Sequence, residues 1–284
     1  MSDPDVTPFD QLPEHFAEGL RNPSVQPVEP RPAATIVLLR DSDAGLQVLL
    51  MHRNRSAGFV PGAYVFPGGR VDASDAAESV LAYVDGLTLD EAADRLELVD
   101  GDPPAIAFYL AALREAFEET GILVGHNVRD EELATAAEDE RVNATRDQLM
   151  EDRISFAQVL EELECRIDGA SVEYLAHWIT PLPEPRRYDT RFFVAKVREG
   201  ATPIVDAREM TDAVWITPDA AVARSDEGTL PMIFPTIKTI EQLRDYGTTD
   251  EALAALAGRA VRTIMPTMVI TESGITLELD EDEE

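Results

Sequence analysis

The stretch Leu113-Arg114-Glu115-Ala116-Phe117-Glu118-Glu119-Thr120-Gly121-Ile122 limits what this chain can fold into more than any other. Ala105 to Glu119 is rich in strong helix formers and follows Pro103-Pro104, a start signal. Gly121 is placed to act as a left-handed cap, and Ile122-Leu123-Val124 is expected to lead away as a strand. At about 100° per residue, Glu115, Glu118 and Glu119 fall within an arc of about 100°. Three carboxylates therefore point the same way, with Arg114 beside them. Such a face is either solvated, as charge runs usually are, or it collects a cation. Hard divalent ions, Mg²⁺ or Mn²⁺, favour an all-oxygen, multi-carboxylate surface of this kind.

Upstream, Phe66-Pro67-Gly68-Gly69-Arg70-Val71-Asp72 follows the strand-like Ala63-Tyr64-Val65. Proline and two glycines at a strand exit mark a tight turn or a close backbone approach. Combined with Arg-Glu-x-x-Glu-Glu-x-Gly, this resembles the signature of the Nudix hydrolases, Gly-x5-Glu-x7-Arg-Glu-x-x-Glu-Glu-x-Gly followed by an apolar residue. Gly69 opens the motif; Arg114, Glu115, Glu118, Glu119, Gly121 and Ile122 close it. Asp75 stands in the first Glu position, one methylene short, and the seven-residue spacer is replaced by 38 residues, Ala76 to Leu113. Across that insertion, Asp75 is expected to orient Arg114 less directly or not at all.

An interrupted motif is similar to the branch that includes the peroxisomal coenzyme A diphosphatases. The coenzyme A signature of that branch is matched in part: Leu49, Leu50, Arg53 and Gly62-x3-Phe66-Pro67-Gly68-Gly69 are present. Met51, Asn54 and Gly58 stand where it has Thr, Ser and a second Arg. The resemblance covers about residues 31–245. It implies an α/β fold, a Nudix-type α/β/α sandwich with a mixed sheet, a helical insertion at about 76–104 and a helical C-terminal extension. Residues 1–30 hold six prolines and read as a flexible arm around a short Phe9–Leu20 helix; 246–284 read as an extension ending in an acidic tail.

The resemblance implies hydrolysis of a pyrophosphate linkage in a nucleoside diphosphate derivative, with Mg²⁺ or Mn²⁺ on Glu115, Glu118 and Glu119. Arg114 would hold a carboxylate, Gly68 and Gly69 would let the backbone pass close to the helix, and Glu118 would take the proton from water. A Glu six positions before a strand Trp serves some relatives as base or extra ligand; here Glu209 precedes Trp215 by six. The substrate classes expected are coenzyme A or its acyl esters, or else ADP-ribose, NADH or another nucleotide. A nucleotide-sensing module without catalysis is the remaining reading, and the intact Arg114, Glu115, Glu118, Glu119 set opposes it.

Other residues keep two readings. Arg53 and Arg55 after the second strand would hold phosphate by bidentate contacts, or form an ordinary basic loop. Arg186, Arg187 and Arg191, before the central strand Phe192–Val197, would neutralise substrate phosphates or pair with surface acids. His177 reads as structural, and Cys165 as a packing residue. Asn127 to Glu151 reads as surface helix.

Composition narrows the partners. A formal charge of −31 opposes a nucleic-acid or anionic-membrane surface, since phosphate backbones need Lys and Arg patches. Lys196 and Lys238 are the only lysines. Both a high-salt cytoplasm and a base-composition bias give such a surface. One cysteine precludes an internal disulfide and fits a reducing compartment. No apolar run reaches membrane-span length, so a cytoplasmic protein is expected, with a small-molecule diphosphate as its partner and a homodimer compatible with the sequence.

Overall fold

A computed structural model describes residues 7–8, 28–54, 61–127, 133–182, 184, 186–205, 210–271 and 274–279. The Phe9–Leu20 helix, Arg55, Gly58, Glu209 and the acidic tail lie outside the described residues.

Two apolar runs form the centre of the main sheet. Strand β2 (Arg31–Arg40) and strand β3 (Gln47–Arg53) are joined by the turn at Ser42–Gly45. Both are buried on two faces, which is why they read as near-continuous apolar runs. Ile36, Leu38, Leu49 and Met51 face one core; Val37, Leu39, Val48 and Leu50 face the other. Short strands β4 (Tyr64–Val65) and β5 (Gly68–Arg70) pair with β3 and β2. The chain returns later as β9 (Val172–Ile179), β10 (Tyr188–Lys196) and β11 (Met210–Ile216). The strand order is β11-β3-β2-β10-β9, with Thr263–Ile264 (β12) on the far edge. Strand β10 runs parallel to β2 and antiparallel to β9, so the sheet is mixed.

The insertion folds back as a 3₁₀ turn at Ala73–Ala76, helix α1 (Glu78–Leu81), strand β6 (Val84–Asp85) and helix α2 (Leu89–Arg95). Thr88 and Glu91 close a capping box on α2. The apolar spacing at 76–84 predicts one helix. Instead it ends early, because β6 leaves to pair with β8 (Cys165–Asp168).

Helix α3 (Ala105–Thr120) crosses the sheet, and 13 of its 16 residues are buried. A helix apolar nearly all round must be covered on both sides. The sheet covers one side. The insertion, α4 (Glu140–Met150) and α5 (Phe156–Glu162) share the core on the other. Helices α6 (Pro218–Asp226), α7 (Phe234–Glu241) and α8 (Thr249–Leu256) cover the opposite face, completing an α/β/α sandwich.

Gly121 adopts φ 68°, as a left-handed cap requires. Ile122-Leu123-Val124 does not continue as a strand. These residues pack singly into the core, and pairing resumes at His126–Asn127 (β7), against β8. The turn at Gly121 points the run into the interior, and among the described residues no strand pairs with it. Strands β13 (Thr267–Ile270) and β14 (Gly274–Glu278) form the terminal hairpin, and β1 (Thr7–Pro8) adds a third strand to it.

No described helix is long and apolar enough to cross a membrane. The surface charge has a direct consequence for stability. A net charge of −31 destabilises the compact state by self-repulsion, and the screening length falls from about 10 Å at 0.1 M salt to about 3 Å at 1 M. The melting temperature is expected to rise by several degrees between 0.1 and 1 M KCl, at roughly 2–4 °C per kcal/mol of repulsion removed. A melting curve that is flat or falling with salt would contradict this.

Candidate active site

The site forms where β5 leaves the sheet beneath the last turns of α3. Arg114 is its hub and is only 8% exposed. Its Nε donates to Asp75 Oδ1 at 2.7 Å and its Nη2 to Asp75 Oδ2 at 3.1 Å. Its Nη1 donates to Glu115 Oε1 at 2.8 Å and Glu118 Oε1 at 3.2 Å, and Nη2 also reaches the Arg70 carbonyl at 3.0 Å. Burial alone would lower the pKa of Arg114; the hydrogen bonds to Asp75 and the charges of Glu115, Asp75 and Glu118 reverse this and keep it protonated.

The expectation that Asp75 acts on Arg114 weakly or not at all is corrected: it binds the guanidinium with both oxygens. The reason is local. The chain leaves β5 at Arg70 and turns at once, with the Asp75 carboxylate accepting from the Asp72 N–H at 2.8 Å. Asp75 thus lies over α3 before the insertion departs, and the extra residues do not separate it from Arg114.

Glu119 faces the glycine pair, with its Oε2 accepting from the Gly68 N–H at 3.1 Å. Gly69 lies against Glu115: a Cβ at this position would stand 2.3 Å from the Glu115 Cδ. Only glycine fits without moving the carboxylate. Gly69→Ala is therefore expected to cut metal-dependent turnover on the order of 10²-fold, the cost of displacing a reacting group by about 1 Å, with the far-ultraviolet spectrum unchanged. Turnover within twofold of wild type would show that the close approach has no role.

Three carboxylates, Asp75, Glu115 and Glu118, share one guanidinium in a partly buried setting, and Glu119 lies next to Glu118 on the helix. Burial pushes Glu115 up to about 7 despite Arg114, and Glu118 beside it adds to the rise. Burial likewise raises Glu118, against the pull of Arg114 and with help from Asp75 and Asp152. Carboxylates raised this way mark a site short of positive charge. All-oxygen donors, crowding and burial fit a hard dication. Among the described residues no three metal-ligating side chains converge on one point; Glu115 and Glu118 are turned to Arg114 and Glu119 to Gly68.

The other expected residues scatter. Leu49 and Met51 face the α3 core, and alternation along β3 puts Arg53 on that same face. Its Nε is buried, with no hydrogen-bond partner among the described residues. Arg191 is not brought to the carboxylates. It is 5% exposed, lies 4.2 Å over the Phe108 ring and donates to Asp189 at 3.0 Å. Phe108 precedes Glu115 by seven residues, about 10 Å along the helix axis. Arg187 donates to the carbonyls of Thr180 and Val28. His177 is a buried tie: Nε2 meets Asp189 at 2.5 Å and Nδ1 meets Thr263 at 2.9 Å. Cys165 is buried, and its thiol is pushed up to about 12. Clefts of about 160 Å³ beside Ile122–Val124 and about 330 Å³ between Arg95 and Arg259 do not border the acidic face.

One neighbour of the site is absent from the sequence reading. Arg146, on α4, donates its Nε to the carbonyls of Phe117 and Glu118, at 3.2 and 2.7 Å. The signal was available, since Val142, Thr145, Arg146 and Leu149 fall on one helical face and all are buried.

The model of the NUDT19 Nudix domain matches residues 87–243, more than half of the chain. The chain belongs to the NUDT19 family of Nudix hydrolases. The match spans Arg114 to Gly121 and begins after Gly69 and Asp75. This Nudix hydrolase is 25% identical over 275 residues to the acyl-coenzyme A diphosphatase NUDT19 of Xenopus laevis, covering 86% of this chain and 72% of that one. The human protein of the same name is 27% identical, over 84% of this chain and 72% of its own. Among solved structures, a Nudix hydrolase from Alicyclobacillus acidocaldarius superposes with a TM-score of 0.66 at 25% identity, covering 82% of this chain and 99% of its own. Nudix hydrolases generally act with divalent metal ions on pyrophosphate linkages.

Proposed function

We propose that the chain hydrolyses the pyrophosphate bond of coenzyme A or its acyl esters. The observation that carries this reading is the intact acidic set on α3, held by Arg114 against Gly68 and Gly69. The names of the vertebrate relatives and the segment Gly62-x3-Phe66-Pro67-Gly68-Gly69 support the coenzyme A substrate.

Glu115, Glu118 and Glu119 would hold Mg²⁺ or Mn²⁺, which when bound neutralises the diphosphate and lowers the pKa of the attacking water. The chain's own residues do the rest. Arg114 keeps Glu115 and Glu118 on one side of the helix by charge-assisted hydrogen bonds. The Gly68 N–H orients Glu119. Arg53 offers its guanidinium to a substrate phosphate. As the oxygen of water bonds to phosphorus and the bridging P–O bond breaks, Glu209 or Glu118 receives the proton. The leaving phosphate departs with the electron pair of the broken bond.

The test is hydrolysis measured across coenzyme A, acetyl-coenzyme A, NADH, ADP-ribose and nucleoside triphosphates, with Mg²⁺ and then Mn²⁺. The reading predicts the largest kcat/KM for a coenzyme A species. A larger value for ADP-ribose or NADH would keep the chemistry and discard the substrate. Nucleotide binding without turnover under either metal would favour a sensing module.

A further inference from the structure

Arg146 stands outside the signature, on a helix that the mechanism above does not use, and yet it touches the acidic helix where the carboxylates hang. It is 4% exposed. Its Nε spans the carbonyls of Phe117 and Glu118. These belong to the last turn of α3, where onward helical donors run out. Gly121 N–H donates to Phe117 O, and Ile204 N–H donates to Thr120 O at 2.8 Å. Arg146 supplies the donor for Glu118 O. A cap needs only a polar donor, and a buried guanidinium is an expensive one. One carboxylate neighbour among the described residues, Asp147 at 3.8 Å, is half exposed. What sets a guanidinium apart is its charge, placed at the negative end of the α3 dipole and one residue from Glu119.

We propose that Arg146 is a positioning residue for the metal-holding carboxylates: it fixes the backbone of Glu118 and Glu119 and brings a second positive charge to the site. Arg114 grips the carboxylate heads from one side; Arg146 pins the turn they hang from. The inference rests on the metal-dependent reading proposed above.

The test is equilibrium Mn²⁺ binding to the substrate-free protein, followed by electron paramagnetic resonance, alongside melting temperature, kcat and KM. Arg146→Met is expected to weaken Mn²⁺ binding about 10–100-fold, the usual effect of removing a group that orients metal ligands. At saturating Mn²⁺, kcat should fall while the KM for coenzyme A stays within about twofold, since uniform substrate binding is untouched. Arg146→Lys, which keeps charge and donor, should recover most of the affinity. Arg146→Gln serves in place of the Met variant if the latter does not fold. Thr120→Val is the structural control: it removes the Thr120 hydroxyl bonds to Ala116 O and from Ile122 N at the same helix end. It should lower the melting temperature and leave Mn²⁺ affinity unchanged.

Wild-type Mn²⁺ affinity in a folded Arg146→Met or Arg146→Gln protein would overturn the inference and leave the functional reading standing. Equal weakening by Thr120→Val would overturn it as well, reducing Arg146 to helix-end stability. Failure of the wild-type chain to bind Mn²⁺ at all would instead overturn the metal reading, and the inference with it.

Discussion

Glu118→Gln is expected to cut turnover of coenzyme A by at least about 10²–10⁴-fold, the range for loss of a general base, without loss of stability. The two halves of this expectation have different origins. Glu118 is assigned both to the metal and to the proton of the attacking water, so its amide loses both tasks. Yet burial and the neighbouring acids already raise its pKa. Ionised Glu118 is therefore held against repulsion, and a neutral isostere relieves it. The melting temperature should stay level or rise. Near-wild-type turnover of the Gln variant would remove Glu118 from the mechanism. A collapse in melting temperature would show that the carboxylate is structural.

Asp75→Ala has the opposite signature. Asp75 is 2% exposed and binds Arg114 with both oxygens. Its removal strips the buried guanidinium of its two-oxygen partner and leaves it Glu115, Glu118, the Arg70 carbonyl and a more distant, exposed Asp72. Breaking one partner of a buried pair costs about 3–5 kcal/mol, which urea unfolding would register as a large fall in midpoint at constant slope. Activity should fall with it, because Arg114 is then free to swing from the carboxylates it orients. Unchanged stability would mean that the insertion, rather than Asp75, holds Arg114 in place.

The helix, its glycine cap and the strands β2 and β3 were legible because each announces itself within a short window. Propensity, a proline start and the apolar runs suffice there. The Asp75–Arg114 contact was not, because it joins residues 39 positions apart and depends on where the chain turns after β5. Ile122–Val124 has strand-like composition, but composition does not say whether a free edge is near. Arg191 was misplaced for a reason the sequence did contain. It alternates with Phe193 and Ala195 on the inner face of β10, so it was bound for the core rather than the lip. The charge in Arg146 likewise obscured its place among the apolar positions of α4.

The most direct test of the account is the position of Mn²⁺ in crystals of the wild-type protein, read from anomalous diffraction. The account predicts density among the carboxylates of Glu115, Glu118 and Glu119, beside Gly68 and Gly69. Manganese bound elsewhere in an active protein, with that face of α3 bare, would contradict it.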